Sequence, residues 1–338
     1  MKKLISLICV LAMVLALAAC GSSAPAAATE APAASTEAPA EDVSADKTFV
    51  VGICQLVQHP ALDAATQGFK DALTEALGDK VTFQEQNASG DSATCSLICN
   101  QFVSDEVDLI MANATASIQA AASATNTIPI LGTSITDYGV ALGVDNWTGV
   151  SGTNISGTSD LAPLDGQAAM IQELFPDAKT IGLLYCSGEP NSIFQADSME
   201  VLLTDMGYSV ERYTFADSND VSSVTANACS NSDVLYIPTD NTAASCTEAI
   251  NNVALSAGIP IVAGEEGLAS GCGVATLSIS YYDLGRATGE MAAEILTEGA
   301  DVSTMEVRFA PAFTKEYNAD ICEALNITVP EDYVAIAK

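Results

Sequence analysis

The sequence is poor in basic side chains and contains a single histidine. Its 338 residues include 11 Lys and Arg against 43 Asp and Glu, and the formal net charge is −32. A surface this acidic repels nucleic acid and anionic lipid head groups, so we expect no nucleic-acid partner. His59 is the only histidine, so a histidine relay could have only one member and a zinc site would lack nearby histidine ligands. We therefore predict no metal site and no cofactor.

The chain also lacks the motifs of the common catalytic machineries. It has no Gly-x-Ser-x-Gly elbow, no phosphate-binding loop, no His-Glu-x-x-His and no dinucleotide-binding glycine pattern. Paired acids such as Glu265 and Glu266 are too common to indicate hydrolysis. The sequence therefore predicts a protein that is not an enzyme and has no catalytic residues. A surface hydrolase remains the alternative from another functional class.

The amino terminus has the layout of a secretory signal over residues 1–20. Lys2 and Lys3 precede an apolar run that ends in Leu-Ala-Ala-Cys, with small residues before the cleavage point. This ending resembles a bacterial lipobox, which makes Cys20 the candidate for lipidation. The alternative is a plain signal peptide in which Cys20 is incidental. Either reading predicts an extracytoplasmic protein, and the lipobox predicts anchoring to the cell membrane through lipid.

Residues 21–46 consist almost entirely of Ala, Pro, Ser, Thr and Glu. Such a segment cannot bury enough apolar surface to offset the entropy of ordering it, so we predict a disordered tether.

Of the ten cysteines, Cys9 and Cys20 lie in the signal and eight remain in the folded part. Export permits disulfides, but a chain of this size has a full core without them. We favour free, buried thiols, with disulfides as the alternative.

From residue 47 onward, strand-like and helix-like patterns alternate. A short apolar run at 49–57 is typical of a buried parallel strand, and residues 61–77 have helical spacing. The alternation restarts after a Gly-, Ser- and Thr-rich stretch at 149–158, and each half contains an Ile-Pro-Ile strand, at 128–130 and 259–261. The sequence therefore predicts an α/β fold of two Rossmann-like lobes with parallel sheets.

Ligands of open α/β sheets bind beyond the carboxyl ends of the strands. Two lobes that face each other at these ends form a cleft, and the polar residues there are the candidate ligand contacts. They are His59, Asn87, Thr115, Ser134, Asp137, Asn191, Ser192, Asp240, Asn241 and Glu265.

The chemistry of these candidates suits an amino acid. Helix starts at Thr115, Ser192 and Asn241 offer free N–H groups to a carboxylate. The acids, Asp137 and Asp240 among them, can accept hydrogen bonds from an ammonium group. The alternative for each residue is an ordinary helix cap, and for His59 a packed position in the core.

Five segments together resemble the tryptophan/tyrosine class of ABC-transporter substrate-binding proteins, over about residues 49–296. These segments are Gln-Leu-Val-Gln-His-Pro-Ala-Leu-Asp (55–63), Asn-Ala-Ser-Gly-Asp (87–91), Gly-Thr-Ser-Asp-Leu-Ala-Pro (157–163), Pro-Thr-Asp-Asn (238–241) and Tyr-Tyr-Asp-Leu-Gly-Arg (281–286). The resemblance implies a periplasmic-binding-protein type I fold with a three-segment hinge, and often an aromatic amino acid as ligand. It also implies an ABC permease and its ATPase as partners; we expect a monomer.

The hinge divides the chain into two discontinuous lobes. We predict an N-terminal lobe of residues 47–156 plus about 279–306 and a C-terminal lobe of residues 157–278 plus about 307–338. Two departures from the family bear on the ligand. Gln58 stands where the family usually has Glu, which removes a charge beside the cleft, and Tyr138 stands where it often has Pro, which adds a ring.

The mechanism that this reading predicts is closure of the two lobes on a small ligand, followed by docking on a permease. The alternatives are other ligands, namely a branched amino acid, a nucleoside or a sugar. Sugars are normally held against aromatic faces, and only 6% of this chain is aromatic. A sensor that signals to a membrane partner is a third alternative, which the lipid anchor disfavours.

Overall fold

The computed structural model describes residues 47–310 and 312–337. The predicted signal, the lipidation site Cys20 and the predicted tether lie outside these residues. Within the described part of the chain, none of the helices combines the length and the apolar character that crossing a bilayer requires.

The first half alternates strands and helices as the sequence pattern predicts up to residue 135, and it then adds a short helix and a strand that the pattern does not indicate. Its elements are β1 (Phe49–Gln55), α1 (Pro60–Leu77), β2 (Val81–Asn87), α2 (Ser92–Ser104), β3 (Leu109–Asn113), α3 (Thr115–Ala124), β4 (Ile130–Ile135), α4 (Tyr138–Leu142) and β5 (Ile155–Ser159). Every residue of β3, β4 and β5 is buried, as expected for parallel strands that are covered on both faces.

The second half repeats this alternation and then adds a carboxyl-terminal extension. The repeated part contains α5 (Leu164–Leu174), β6 (Thr180–Cys186), α6 (Pro190–Asp205), β7 (Ser209–Phe215), α7 (Val221–Asn231), β8 (Val234–Ile237), α8 (Asn241–Ala244), α9 (Thr247–Ala257), β9 (Ile261–Ala263), α10 (Glu266–Gly271) and β10 (Ala275–Ser278). The extension contains α11 (Tyr281–Glu298), β11 (Arg308–Phe309), β12 (Thr314–Tyr317), α12 (Ala319–Ala324) and β13 (Val334–Ala335).

The strands form two separate sheets. The first is six-stranded, in the order β11-β5-β4-β3-β1-β2, and the second is seven-stranded, in the order β13-β12-β10-β9-β8-β6-β7. All neighbours are parallel except β10 and β12, which are antiparallel. The predicted fold class, two α/β lobes with parallel sheets, is confirmed.

The chain passes between the lobes three times. It leaves the first sheet after β5, returns after β10 to form α11 and β11, and leaves again to form β12. The first sheet extends to Ser159 and resumes at Arg308–Phe309, three residues beyond each predicted lobe boundary. The residues beyond the two boundaries belong to the same lobe, because β11 pairs with β5.

The helix α11 packs against α1 and thereby belongs to the first lobe. The backbones approach so closely that a Cβ on Gly285 would lie 2.0 Å from the carbonyl oxygen of Ala65, and one on Gly68 would lie 2.0 Å from that of Tyr282. Glycine is required at these positions because a larger residue would push the two helices apart.

Tyr138, whose ring was expected to bear on the ligand, lies in the core of the first lobe. Its side chain is 2% exposed, and its ring stacks on Trp147 with the centroids 5.7 Å apart. The hydroxyl donates to the carbonyl oxygens of Gly132 and Thr158, each at 3.1 Å. The ring fits because Gly132 and Gly157 have no side chain: a Cβ at either would lie within 2.6 Å of the hydroxyl oxygen.

The eight cysteines of the described residues are free thiols, and seven of them are buried. Cys54 and Cys95 both lie near the hydroxyl of Ser117, at 3.6 Å. The hydrogen bond with Cys54, together with burial, raises the pKa of the Cys95 thiol well above its usual range. The neighbouring Cys99 and burial raise the pKa of Cys54 to about 12. Thiols held in this way are uncharged and are packing residues of the core.

Candidate functional site

A polar cavity lies between the two lobes, at the carboxyl ends of strands from both sheets. The first lobe contributes residues at or after the carboxyl ends of β1, β4 and β5, and the second contributes residues after β6, β8 and β9. The lining residues are His59, Leu62, Ser134, Thr136, Asp160, Asn191, Thr239, Asp240, Asn241, Ala244, Glu265 and Tyr281. This is the position that the rule for open α/β sheets predicts for a ligand.

The structure brings six of the ten predicted site residues to this cavity. They are His59, Ser134, Asn191, Asp240, Asn241 and Glu265. Ser192 is fully buried directly behind the lining, where its hydroxyl oxygen lies 3.3 Å from Nδ2 of Asn191.

Asn87, Thr115 and Asp137 lie outside the cavity, because each serves local structure. Asn87 is exposed, and its Oδ1 accepts a hydrogen bond from the backbone of Ser89 in the turn after β2. Thr115 is buried in the first turn of α3. Asp137 caps α4 by accepting a hydrogen bond from the Val140 N–H at 2.7 Å. Of the three, only Asp137 adopts the alternative role of a helix cap.

Asp160 lines the cavity, although it is not among the ten residues predicted for the site. It follows β5, in the first crossing between the lobes, and is 3% exposed. The hydroxyl of Tyr281, at the start of α11, donates to its Oδ2 at 2.9 Å. The segment 149–158 reads as a polar connection, so β5 was not predicted, and the acid that follows its carboxyl end was missed with it.

Three buried side-chain atoms without hydrogen-bond partners belong to residues that line the cavity. They are Nδ1 of His59, Oγ of Ser134 and Oδ1 of Asp160, which make up half of the six such atoms among the described residues. Ser134 also has a φ of 56°, in the left-handed region. Both features cost free energy, and native proteins retain such costs chiefly at functional sites.

A chain of hydrogen bonds links the lobes beside this cavity. Nε2 of His59, in the first lobe, lies 3.3 Å from Oδ1 of Asn241 in the second. Glu189 accepts hydrogen bonds from both the backbone N–H and Nδ2 of Asn241, at 3.0 and 2.7 Å. Its other oxygen accepts from the backbone N–H and hydroxyl of Thr242. Glu189 therefore fixes which atom of the Asn241 amide faces His59.

The lining is acidic, and none of its described residues is Lys or Arg. Burial raises the pKa of Asp160 to about 6 and that of Glu265 to about 7. Burial, with the nearby charge of Glu189, also raises the pKa of Asp240. Burial lowers the pKa of His59. The cavity therefore disfavours every charged form of its own side chains, because each is removed from water.

The raised pKa values predict that stability falls as the pH rises. Since Glu265 and Asp240 bind protons more tightly in the folded state than in the unfolded one, their contribution is complete below about pH 4 and is lost through about pH 7 and above. We expect the free energy of unfolding to fall by about 2 kcal/mol between pH 5 and pH 8. Urea denaturation at constant ionic strength measures it.

The matched variants for this prediction are Glu265→Gln and Asp240→Asn, which keep the shape of each side chain and remove its titration. Each should reduce the difference between pH 5 and pH 8. An unchanged slope in both variants would contradict the assignment and would point to the general acidity of the surface.

The two lobes are closed on each other. The cavity has a volume of about 10 Å³, which is room for about one water molecule. A ligand of amino-acid size therefore enters only when the lobes separate.

Among the described residues, no group of three or more His, Cys, Asp or Glu side chains is arranged to hold a metal ion.

Comparison with known proteins identifies relatives across nearly the whole described chain. Residues 50–338 match the family model described as ABC transporter substrate binding protein. A protein named tyrosine-binding protein, from Clostridioides difficile strain R20291, is 38% identical over 280 residues, which cover 82% of this chain and 81% of that protein.

Two solved structures match this chain to different degrees. An ABC domain from Streptococcus pneumonia in complex with L-Trp has 31% identity and a TM-score of 0.80, and covers 84% of this chain and 97% of its own. The ligand-free, open structure of a substrate-binding protein with adhesive properties from Clostridium difficile has 38% identity but a TM-score of 0.66, with 86% and 99% covered. The better match to the L-Trp complex, despite lower identity, agrees with the closed arrangement of the lobes.

The family is one of extracytoplasmic binding proteins, not of enzymes, which agrees with the prediction that the chain performs no catalysis. The match covers both lobes and the cavity between them. This chain belongs to the family of ABC transporter substrate-binding proteins, with the type I periplasmic-binding fold that its sequence predicted.

Proposed function

We propose that this protein captures an aromatic amino acid outside the cytoplasm and delivers it to the permease of an ABC importer. The observation that carries the proposal is the convergence of the three unpartnered atoms of His59, Ser134 and Asp160 on one interlobe cavity. An amino acid presents two charged groups a few ångströms apart, and it needs both an acceptor and donors close together.

Asp160 is the partner of the ligand's ammonium group. Its free Oδ1 is a buried acceptor, and Tyr281 fixes the orientation of the carboxyl by donating to the other oxygen. Asp240 and Glu265 are less suited to this role, because their oxygens already accept hydrogen bonds from backbone N–H groups. The donors to Asp240 are Cys186, at the end of β6, and Ala243, at the start of α8. Both donors to Glu265 lie at the start of α10. The hydroxyl of Ser134 and the ring of His59 face the ligand's carboxylate.

The aromatic specificity rests on the relatives and on the apolar part of the lining. One relative is named for tyrosine and another was solved with L-Trp. Leu62, Ala244 and the ring of Tyr281 provide apolar surface in the same cavity, against which an aromatic side chain can be buried.

Closure of the lobes couples binding to transport. Because the ligand contacts residues of both lobes, it binds the closed form more tightly than the open one and shifts the population toward closure. The closed monomer then docks on the permease, whose ATPase supplies the work. Thermal unfolding of the protein with each of the twenty amino acids added in turn tests this function.

L-Tyrosine or L-tryptophan at 100 times its dissociation constant should raise the melting temperature by roughly 5 °C or more. Mass spectrometry should recover the amino acid unaltered, whereas a hydrolase would consume its substrate. If no member of the panel raised the melting temperature, an amino-acid receptor would be ruled out. A shift confined to branched amino acids, or one produced only by nucleosides or sugars tested beside the panel, would identify one of the alternative ligands.

Cys20 anchors the protein to the membrane in this proposal, with residues 21–46 as the tether. Replacing Cys20 with Ser should release the protein into the culture medium, because the exported chain would have no acyl chains. Fractionation of membranes and medium from the producing cells measures the release. A Cys9→Ser variant is the matched control and should stay with the membranes. Equal retention of both variants would favour a different mode of attachment.

A further inference from the structure

We infer that His59 takes up a proton when the carboxylate of an amino acid binds beside it, so that ligand affinity is linked to pH. This inference rests on the proposed function, since it assigns the charge balance of the same cavity. It concerns the one histidine of the chain, which makes it directly measurable.

The hydrogen-bond chain from Glu189 sets the tautomer of His59. The carboxylate of Glu189 can only accept, so the Nδ2 group of Asn241 turns toward it at 2.7 Å. Oδ1 of Asn241 is then the atom that faces Nε2 of His59, at 3.3 Å. A carbonyl oxygen can only accept, and therefore Nε2 carries the hydrogen. In the neutral ring, Nδ1 is left with a lone pair and no proton.

Nδ1 is the atom of His59 that is buried without a partner at the cavity. In the neutral ring it cannot donate a hydrogen bond to a carboxylate, and two lone pairs facing each other repel. A carboxylate beside Nδ1 is therefore stabilised only when the ring gains a second proton. The protonated ring keeps its bond to Asn241 and gains a charge-assisted bond to the ligand.

No other cationic side chain of the described residues lies near His59 to pair with the ligand's carboxylate. Its described titratable neighbours are all acidic: Asp63 on α1, Glu189 before α6, Asp240 before α8, and Asp160 and Glu265 across the cavity. Among the buried, unpartnered side-chain atoms of the described cavity residues, the hydroxyl of Ser134 is the one donor. Without a ligand, burial lowers the pKa of His59, and a bound carboxylate reverses this because it pairs with the imidazolium.

The linkage has a definite sign. A group whose pKa rises on binding takes up a proton, so affinity is highest at low pH and falls through the range between the free and the bound pKa. We expect affinity for L-tryptophan to fall by up to about tenfold per pH unit between pH 6 and pH 8. Asp240 and Glu265 can add protons of the same sign when the lobes close, so the histidine must be observed itself.

Nitrogen-15 NMR of the labelled full-length protein reports the protonation state of His59 directly, because the single histidine gives a single pair of ring signals. We expect the tautomer with hydrogen on Nε2 in the free protein at pH 7, and the imidazolium after addition of L-tryptophan. Tryptamine, which has the same ring and amine but no carboxylate, is the matched control and should leave His59 neutral. A neutral His59 in the L-tryptophan complex, or hydrogen on Nδ1 in the free protein, would overturn the inference.

A variant provides the second measurement. In His59→Asn, the side-chain amide places a neutral donor near the position of Nδ1, and Asn is also a good residue for the start of α1. Calorimetry in buffers of different ionisation enthalpy should show proton uptake on L-tryptophan binding reduced by about one in this variant. If the uptake stayed the same, the protons would belong to the carboxyls and the inference would fail. If the parent protein did not bind L-tryptophan, the proposed function would be contradicted instead. The tautomer of His59 in the free protein can be measured in either case, because it does not depend on ligand binding.

Discussion

Replacing Asp160 with Asn is expected to weaken L-tryptophan binding by about a hundredfold or more. The loss of one partner from a buried charge pair costs about 2–5 kcal/mol, and a hundredfold loss of affinity corresponds to about 2.8 kcal/mol within this range. In the variant, the amide oxygen is held by the hydroxyl of Tyr281, which donates to this side chain at 2.9 Å. The amide N–H group then faces the cavity, where it repels the ligand's ammonium. Isothermal titration calorimetry measures the change.

Asp137→Asn is the control for this experiment. Both acids follow strands of the first sheet, but Asp137 caps α4 outside the cavity, so its variant should bind L-tryptophan normally. The Asp160 variant should remain as stable as the parent protein at pH 7, because burial already raises the pKa of Asp160 to about 6. Normal binding by the Asp160 variant together with weak binding by the Asp137 variant would move the ammonium contact to Asp137.

Replacing Tyr138 with Ala is expected to lower the free energy of unfolding by about 3–5 kcal/mol, the usual cost of removing a buried aromatic side chain. The ring is 2% exposed and stacks on Trp147, and its hydroxyl serves two backbone carbonyls of the first sheet. The remaining cavity would lie between β4, β5 and α4, which cannot collapse without shifting the sheet. Urea denaturation measures the loss.

Tyr138→Phe separates the ring from the hydroxyl. It keeps the stacking but leaves the carbonyl oxygens of Gly132 and Thr158 without this donor, at a cost of about 1–2 kcal/mol. Its affinity for L-tryptophan should equal that of the parent protein, because the hydroxyl lies in the core. A change in affinity without a change in stability would place the ring in the ligand site after all.

The fold could be predicted from the sequence wherever a strand is apolar. β3 and β4 begin with apolar residues and are easily found, whereas β5 has the sequence Ile-Ser-Gly-Thr-Ser. What makes β5 a strand is its pairing with β4 on one side and β11 on the other. Such pairing depends on tertiary structure and leaves no pattern in the segment itself. The missed strand explains the missed acid, Asp160.

The candidate site was predictable in chemistry but only partly in position. Asp137 and Asp240 have the same local setting, a Thr-Asp pair before a short helix, and both carboxylates cap that helix. Asp240 lines the cavity and Asp137 does not. The difference comes from how the lobes face each other, since only some strand ends meet across the cleft. Local sequence does not contain that information.

The return of the chain to the first lobe has a consequence for biosynthesis. The first lobe needs α11 to cover α1 and β11 to complete the edge of its sheet. The residues that do so end at Phe309 of 338. An emerging chain therefore cannot complete the first lobe until about residue 309 has been delivered, and the apolar face of α1 and the edge of β5 stay uncovered until then.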